Sequence, residues 1–394
     1  MVRLSAYWCF IVLGIGGTLL GPALSSILAD FKLTPADAGQ LFFASALGYL
    51  IAVLVGGPSG DHWDRRIVLL AGAALMCAGF VAVFIAPIWI LVVIAFVVAG
   101  LGSGVVDSST NAMINDISAS DDKAREQSLL HASFGFGALL GPLVIGATLA
   151  LNAGWRPAYA CAAVGAFALV VLFARLQLPA RPESHPHVNI SSVILLALNP
   201  FVLLLALMMG AYVGAELLLG DWSATYMQRI HHLDKASAAT SVSLYWGGLA
   251  VGRLLSAYAT KWFTGRVLLV MTCVLSLVAS SLLVVAPNVG VALFALALSG
   301  IGYAAVFPLV MAVAGEVFPE VSGSIAGLLI GAASIFGAAV PWLGGIVVQY
   351  SDARAAMALS IPATVIMVIV AVMMLSDRPI QRGVAKTMTR SASA

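Results

Sequence analysis

The residues with the clearest chemical potential are acids inside segments apolar enough to cross a membrane. Asp107 lies nine residues before Asp116, which falls at the end of the same segment. Nine residues rise about 13 Å along a helix, so Asp107 lies near the membrane centre. A charge at that depth costs at least about 2.5 kcal/mol, which disfavours the ionised carboxylate. We therefore predict that Asp107 binds and releases a proton; a structural ion pair with a base on another helix is the alternative.

Neighbouring polar and aromatic residues predict where a solute binds. Glu216 is a second buried acid, and Asn111 lies one helical turn after Asp107 on the same face. The segment after Glu216 becomes polar and aromatic, which predicts that its helix breaks and faces a cavity. An acid among aromatic rings suits a polar solute, although Trp222 is also typical of an interfacial aromatic belt. The predicted solute-binding residues are Asn111, Glu216, Trp222, Tyr226, Tyr245, Trp246 and Tyr303.

Two further titratable or charged residues lie within apolar segments. His131 titrates near neutral pH and joins Asp107 and Glu216 as a candidate proton-coupling group, with hydrogen-bonded packing as the alternative. Arg253 needs a partner at its depth, for which Glu316 or Asp107 is available. Snorkelling of the Arg253 guanidinium to the interface is an equally simple interpretation.

Signatures of enzymes and cofactor-binding proteins are absent from the sequence. It contains no nucleotide-binding glycine motif and no nucleophile paired with a base. Its four cysteines are widely spaced in apolar segments, which predicts packing rather than metal or redox chemistry. We expect no enzymatic activity and no cofactor, and hence coupling to an ion gradient, chiefly of protons. The expected partners are a small-molecule substrate, protons and membrane lipid, without nucleic acid, and we expect a monomer.

Composition and hydropathy define the elements that hold these residues. The 394 residues are 61% hydrophobic and 9% charged, with a mean hydropathy of +1.05, whereas about a quarter of the residues of soluble domains are charged. Twelve segments reach the roughly 20 apolar residues that a membrane-spanning helix needs. The sequence therefore predicts an all-α integral membrane protein. Its predicted spans are Ala6–Ala29, Ala38–Gly56, Ile67–Ala86, Ile88–Met113, Glu126–Leu151, Trp155–Leu176, Pro200–Met227, Ala236–Ala259, Val267–Ala286, Val291–Val317, Gly323–Val348 and Arg354–Leu375.

Basic residues predict the orientation of these spans. With the first residue on the cytoplasmic side, thirteen Lys and Arg residues lie on that side and five on the other. The positive-inside rule then places both termini in the cytoplasm. We expect an inner, or plasma, membrane of a bacterium. Below, "inner" and "outer" refer to this predicted orientation.

An internal repeat at an offset of 200 residues divides the chain. Gly100-Leu101-Gly102 recurs as Gly300-Ile301-Gly302, and Asp116 recurs as Glu316. Two parallel six-helix halves are typical of transporters whose bundles rock about a site at mid-membrane. The predicted organisation is an N-terminal bundle at 1–178, a cytoplasmic linker at 179–192, a C-terminal bundle at 193–377 and a cytoplasmic tail at 378–394.

The charged turn between spans 2 and 3 contains Gly57, Asp61, Arg65 and Arg66. In residue types and spacing this turn resembles the loop between helices 2 and 3 of the major facilitator superfamily. The resemblance implies that this loop helps to hold an inner gate shut, and a positive-inside turn without a gating role is the alternative. We predict that Arg65 pairs with Asp116 in an outward-open state, and that Lys261 pairs with Glu316 in the second half. The predicted gating residues are Asp61, Arg65, Arg66, Asp116, Arg253, Lys261 and Glu316.

Further glycine-rich patterns recur along the chain, namely Leu101–Asp107 with Asn111, Leu130–Ala138 with Gly141-Pro142, Tyr212–Glu216 with Trp222, and Tyr245–Gly248 with Gly252-Arg253. These patterns resemble those of the fucose-type sugar:proton symporters of that superfamily. The resemblance implies alternating access, in which a membrane carboxylate cycles its proton as a sugar binds and leaves. Asp107 fits that carboxylate by its position.

Three functions follow from these features. The first is proton-coupled uptake of a small polar solute such as a sugar. The second is proton-coupled export of drugs or other amphipathic compounds, although the arginine that such antiporters usually carry in helix 4 has no counterpart at 95–97. The third is a membrane receptor that does not transport. The buried acids Asp107 and Glu216 favour transport.

Overall fold

A computed structural model describes residues 2–59, 64–118, 123–178, 196–318 and 321–375. Regular structure in these ranges consists of helices, without a strand. A 3-10 turn at Pro35–Asp37 accompanies the α-helices. These are α1 (Val2–Gly17), α2 (Leu20–Phe31), α3 (Ala38–Ser59), α4 (Arg65–Ile85), α5 (Trp89–Ile117), α6 (Lys123–Ala150), α7 (Arg156–Arg175), α8 (Pro200–His231), α9 (Lys235–Ala259), α10 (Gly265–Val285), α11 (Val289–Tyr303), α12 (Val306–Val317), α13 (Ser322–Tyr350), α14 (Ala353–Ala358) and α15 (Ser360–Leu375).

The helices account for all twelve predicted spans. Within the described residues, eleven helical segments are long and apolar enough to cross a membrane. The remaining span is α9, a helix of 25 residues that Ser237, Thr240 and Arg253 make less apolar. Spans 1, 10 and 12 each consist of two helices, namely α1 with α2, α11 with α12, and α14 with α15. The prediction of an all-α integral membrane protein is confirmed.

The helix that carries Glu216 is unbroken, so the predicted break in its outer half is wrong. The 32 residues of α8 form one helix from Pro200 to His231. Gly220 serves close packing in that helix, since a Cβ on Gly220 would lie 2.8 Å from Cζ2 of the Trp246 ring. The helix also approaches α2, because a Cβ on Gly21 of α2 would lie 2.5 Å from the Gly220 carbonyl oxygen. Glycine permits both bending and close approach of helices in a membrane, and sequence alone does not separate the two uses.

The 200-residue repeat extends to helix bounds and to contacts between helices. The bounds of α4 and α10 coincide at that offset. A Cβ on Gly48 would lie 2.1 Å from the Val97 carbonyl oxygen, and a Cβ on Gly248 would lie 2.2 Å from the Ala297 carbonyl oxygen. Because glycine lacks a Cβ, α3 meets α5 backbone to backbone, and α9 meets α11 in the same way. The two halves therefore use equivalent residues for equivalent packing.

Contacts divide the described residues into two units. The first contains those of Met1–Glu183, Gly220–Gly247 and Pro341–Ala356, and the second contains those of Ser184–Leu219, Gly248–Val340 and Met357–Ala394. The first unit therefore joins first-half helices to the outer parts of α8, α9 and α13. The predicted linker at 179–192 and tail at 378–394 lie outside the described residues, and the division into two six-helix domains stays a prediction.

Hydrogen bonds within the first unit connect the two halves of the sequence at the outer side. The Ala36 amide donates to the Gln349 side chain at 3.2 Å. The Ser243 hydroxyl of α9 donates to the Leu139 carbonyl of α6 at 3.0 Å. Together with the approach of α2 to α8 at Gly21, these contacts form what we call the outer contact.

Candidate functional site

Asp107 is held by two uncharged hydrogen-bond donors. The Asn111 amide, one turn later on α5, donates to the Asp107 carboxylate at 2.8 Å. The Tyr49 hydroxyl of α3 donates to the other carboxylate oxygen. Tyr49 comes close because a glycine lies opposite it, since a Cβ on Gly104 of α5 would lie 2.7 Å from the Tyr49 carbonyl oxygen. Sequence reasoning found Asn111 but missed Tyr49, because the pairing depends on this approach of two helices.

Asp107 has no cationic partner among the described residues. The ion pairs found there are Arg3 with Glu126, Arg65 with Asp116, and Arg156 with Asp30. The Asp107 side chain is partly exposed. The alternative of a structural ion pair is therefore not supported in this part of the chain. The carboxyl group can gain or lose a proton without breaking an ion pair.

A row of polar side chains leads from Asp107 toward the inner end of α5. Asn111 and Asn115 follow at intervals of four residues and so lie on one helical face. The Gln127 amide of α6 donates to the Asn115 side chain at 3.0 Å and to the Asn111 carbonyl at 3.3 Å. Hydrogen-bonding groups thus continue from the acid toward the inner side. Asn115 and Gln127 were missed, although the four-residue spacing was a readable signal for Asn115.

Glu216 lies in the second unit beside Tyr212 and Arg253. The Tyr212 hydroxyl, one turn earlier on α8, donates to the Glu216 carboxylate at 2.7 Å. Arg253 of α9 interacts electrostatically with Glu216 and is hydrogen-bonded to the Tyr212 hydroxyl. The predicted partners of Arg253, Glu316 or Asp107, are wrong. The buried acid and the half-buried base on the neighbouring helix interact because each charge would otherwise be poorly compensated.

Four of the aromatic residues predicted to bind solute lie in the first unit, where they are buried in protein contacts. The Trp222 indole donates to a backbone carbonyl of α13 at 2.8 Å. The Tyr226 hydroxyl lies 3.1 Å from Nε2 of His231. The rings of Tyr245 and Trp246 meet edge to face with centroids 5.3 Å apart. Their role in solute binding stays a prediction.

Tyr303, in the second unit, supports the Glu216 group. Its ring lies 6.2 Å from that of Tyr212, measured between centroids. Its hydroxyl lies 3.2 Å from the Ser280 hydroxyl. Tyr303 therefore packs behind the tyrosine that donates to Glu216, and a direct contact of Tyr303 with solute stays a prediction.

Arg65 and Asp116 form the ion pair that the sequence predicted at the inner end of the first-half helices. The Arg65 side chain is only 2% exposed, and its Nε and Nη1 atoms have no hydrogen-bond partner among the described residues. Both residues belong to the first half of the chain. The gating role of the pair stays a prediction. Asp61, the predicted companion, lies outside the described residues.

The remaining gating residues make other contacts. Arg66 donates to the Phe173 carbonyl at 2.8 Å and so caps the end of α7. The predicted pair of Lys261 with Glu316 is wrong: the Lys261 ammonium lies 4.5 Å from the centroid of the Tyr258 ring, and Glu316 is exposed. A cation–π contact between Tyr258 in the last turn of α9 and Lys261 just after it needs no distant acid to be ordered.

His131 lies on the face of α6 that meets α1. Its ring meets the Phe10 ring edge to face, with centroids 5.7 Å apart. This contact agrees with a packing role, and a proton-coupling role for His131 stays a prediction.

We expect Asp116→Asn to destabilise the protein far more than Glu316→Gln. Removing one partner of a buried ion pair leaves the Arg65 charge uncompensated, which costs roughly 3 kcal/mol. Glu316 occupies the equivalent position of the repeat but is exposed, so its replacement changes the free energy of unfolding by less than about 0.5 kcal/mol. Thermal unfolding of the two purified variants in detergent makes the comparison. Equal shifts in melting temperature would contradict a structural role for the pair.

Comparison with known proteins identifies the family. Residues 6–338 and 224–392 match the model of the Major Facilitator Superfamily. The chain belongs to the Major Facilitator Superfamily. It is 26% identical to the mouse "Sodium-dependent glucose transporter 1A" over 337 residues, which cover 77% of this chain and 79% of that protein. Among solved structures, a D-xylose-proton symporter has a TM-score of 0.79 at 16% identity, covering 97% of this chain and 98% of that one.

Two other members of the superfamily relate to the predicted functions of sugar uptake and drug export. The transporter FucP in its outward conformation has a TM-score of 0.69 at 16% identity, covering 94% of this chain and 98% of that one. Likeness at this identity shows the fold. The "Quinolone resistance protein NorA" of Staphylococcus aureus is 27% identical over 206 residues, which cover 51% of this chain and 52% of that protein. The chain is accordingly a membrane transporter and not an enzyme.

Proposed function

We propose that the protein takes up a small polar solute, such as a sugar, together with a proton by alternating access. Asp107 carries this proposal, because it lies within a membrane-spanning helix, bonds to the neutral side chains of Tyr49 and Asn111, and has no cationic partner among the described residues. Such an acid can bind a proton without breaking an ion pair. The polar row toward Asn115 supports release of that proton on the inner side.

The outer contact supports alternating access. The described hydrogen bonds across it are the exposed one from Ala36 to Gln349 and the partly buried one from Ser243 to Leu139. A typical hydrogen bond contributes only about 1 kcal/mol net. The outer parts of the two halves can therefore separate without unfolding of either, which would admit solute from the outer side.

Glu216 is the proposed solute ligand. Glu216, Tyr212 and Arg253 together supply acceptors and donors, and a sugar hydroxyl both donates and accepts. The names of two relatives, a sodium-dependent glucose transporter and a D-xylose-proton symporter, agree with a sugar. The first of these names also makes sodium the alternative coupling ion.

The proposed setting is a monomer in a bacterial plasma membrane. Thirteen basic residues on one side against five on the other support cytoplasmic termini. Lipid, protons and the solute are the partners of this proposal, and the ion gradient takes the place of a cofactor.

Uptake by proteoliposomes under an imposed gradient tests this function against export. Export of amphipathic compounds is the second candidate, which the partial match to NorA favours. A panel of labelled pentoses and hexoses is added outside the vesicles while the exterior is acidic. The same panel is tested with sodium higher outside than inside, and an amphipathic cationic dye is tested in parallel. Sugar accumulation driven by the pH gradient supports the proposal. Dye movement against its own gradient, with no sugar flux, would establish export instead.

We expect Glu216→Gln to weaken binding of the transported sugar at least about tenfold. A hydrogen bond to a charged group is worth about 1.5 to 3 kcal/mol, and the amide loses that charge. Binding is measured by equilibrium dialysis with the sugar that the uptake panel identifies. The double variant with Arg253→Gln serves as the control. Recovery of binding in the double variant would show that Glu216 balances Arg253 and does not bind the solute.

A further inference from the structure

An acid that the proposed cycle does not use lies at the outer contact. Asp221 lies on α8, five residues after Glu216, and belongs to the first unit. Its backbone touches α2, since a Cβ on Gly21 would lie 2.5 Å from the Asp221 Cα. Within the described ranges, its carboxyl group has no hydrogen bond and no ion pair. An unpaired carboxylate therefore lies where two helices meet.

The group that faces Asp221 offers no compensating charge. Tyr159 of α7 interacts electrostatically with Asp221, is fully buried, and has no hydrogen-bond partner for its hydroxyl among the described residues. The rings of Phe80, Phe96 and Trp155 surround Tyr159 at centroid distances of 5.7 to 6.5 Å. Asp221 itself is half-buried, and these aromatic rings supply no charge that would compensate its ionised form, so ionisation of Asp221 is disfavoured while the contact is closed.

Several other charged groups on the helices around Asp221 are engaged elsewhere. Arg156 of α7 pairs with Asp30 of α2 at 3.0 Å. His231, farther along α8, lies beside the Tyr226 hydroxyl. On α9, Asp234 accepts hydrogen bonds from the first backbone amides of that helix. Tyr159 is thus the titratable group in electrostatic contact with Asp221 in the described part of the chain.

Further unpartnered polar atoms lie along the same two helices. The Ser25 hydroxyl of α2 and the Thr225 hydroxyl of α8 are each buried, each one turn beyond the Gly21 and Asp221 contact, and neither has a partner among the described residues. Buried polar atoms without partners weaken a contact, because each has lost its hydrogen bonds to water. A weak polar contact suits a surface that separates and becomes hydrated during transport.

We propose that Asp221 is a second proton-binding site, which must be protonated for α2 and α8 to close on each other at the outer side. This inference rests on the proposed alternating access. Ionised Asp221 favours the open, hydrated arrangement, and neutral Asp221 permits the closed one. By linkage, closure raises the affinity of Asp221 for a proton by the same factor as protonation favours closure. An acidic exterior would therefore promote closure behind an entering solute.

Cysteine labelling from the outer side tests this inference. Cys161 is the exposed native cysteine of the described residues and is replaced by serine. Thr225→Cys then reports opening through its reaction with a membrane-impermeant maleimide in right-side-out vesicles, and Ala153→Cys, in an exposed turn, corrects for the pH dependence of the reagent. Corrected labelling of Thr225→Cys is expected to rise at least about fivefold between about pH 5 and pH 9. Fivefold is the lower end of the coupling factors commonly found between two binding sites.

Replacement of Asp221 decides the outcome. With Asp221→Asn, labelling is expected to stay low at every pH, and Tyr159→Phe is expected to retain the pH dependence because the acid is still present. With Asp107→Asn the pH dependence is also expected to persist. Unchanged pH dependence in Asp221→Asn, or its loss in Asp107→Asn alone, would overturn the Asp221 assignment without touching proton-coupled uptake. Suppose instead that labelling does not change with pH in Asp221→Asn, and that uptake by the protein does not respond to a pH gradient. That result would support the Asp221 assignment and contradict the proposed coupling of uptake to protons.

Discussion

Asp107→Asn is expected to abolish accumulation of solute against its gradient and to leave exchange of solute across the membrane intact. The amide has nearly the shape of the acid and keeps hydrogen-bonding partners in Tyr49 and Asn111, but it cannot take up a proton. Exchange needs only that the loaded protein reorients. In symport of one proton with one solute, a gradient of one pH unit supports about tenfold accumulation. The variant should reach a ratio of about one.

Asp234→Asn is the matched control for loss of an acid. Asp234 is exposed and precedes α9. Hydrogen bonds from the side chain and backbone of Ser237 hold the pKa of Asp234 below its usual range, so it stays ionised near neutral pH and carries no proton. Its replacement is expected to preserve accumulation. Full accumulation by Asp107→Asn would contradict the assignment and direct attention to Glu216 or His131.

Gly21→Ala is expected to lower the initial rate of uptake by about tenfold. The added Cβ would lie 2.5 Å from the Cα of Asp221 and from the carbonyl oxygen of Gly220. Both are backbone atoms, which cannot rotate away as the end of a side chain can. Overpacking of this kind costs about 1 to 3 kcal/mol, and each 1.4 kcal/mol changes an equilibrium about tenfold. The cost falls on the closed outer contact, so the protein should stay open to the outer side.

Gly17→Ala separates this steric effect from a general effect of alanine. Gly17 ends α1, and a Cβ there would have no neighbouring atom within 4 Å. The control is expected to transport at the wild-type rate. Labelling of Thr225→Cys from outside should increase in the Gly21→Ala protein and not in the Gly17→Ala protein. Equal rates and equal labelling in the two would show that closure at Gly21 does not limit transport.

The repeat could be predicted from the sequence, because equivalent helix contacts in the two halves require the same residue types at the same spacing. Gly48 and Gly248 occupy equivalent positions of the repeat, and at each the neighbouring helix backbone lies too close for a Cβ. Glycine is therefore needed at both positions, and the sequence shows it at both. The pair of Arg65 with Asp116 was also predictable, since each marks the inner end of its span and both ends lie at one membrane surface.

The sequence did not predict which side chains on neighbouring helices contact each other. Tyr49 reaches Asp107 only because α3 and α5 touch at Gly104, and the rotation of each helix about its axis decides that register. Glu216 and Arg253 meet for a similar reason. A hydropathy pattern gives the depth of a residue in the membrane but not the direction in which its side chain points. The predicted partners of Arg253 were therefore chosen by depth and charge, and were wrong.

The pH inside proteoliposomes during solute entry tests proton coupling most directly. Vesicles with a trapped pH-sensitive dye start at equal pH on both sides, and the sugar identified by the uptake panel is added outside only. We expect that the lumen acidifies as sugar enters, and that Asp107→Asn takes part in sugar exchange without acidification. Entry of sugar at constant lumenal pH, or a rise in lumenal pH, would contradict proton symport through Asp107.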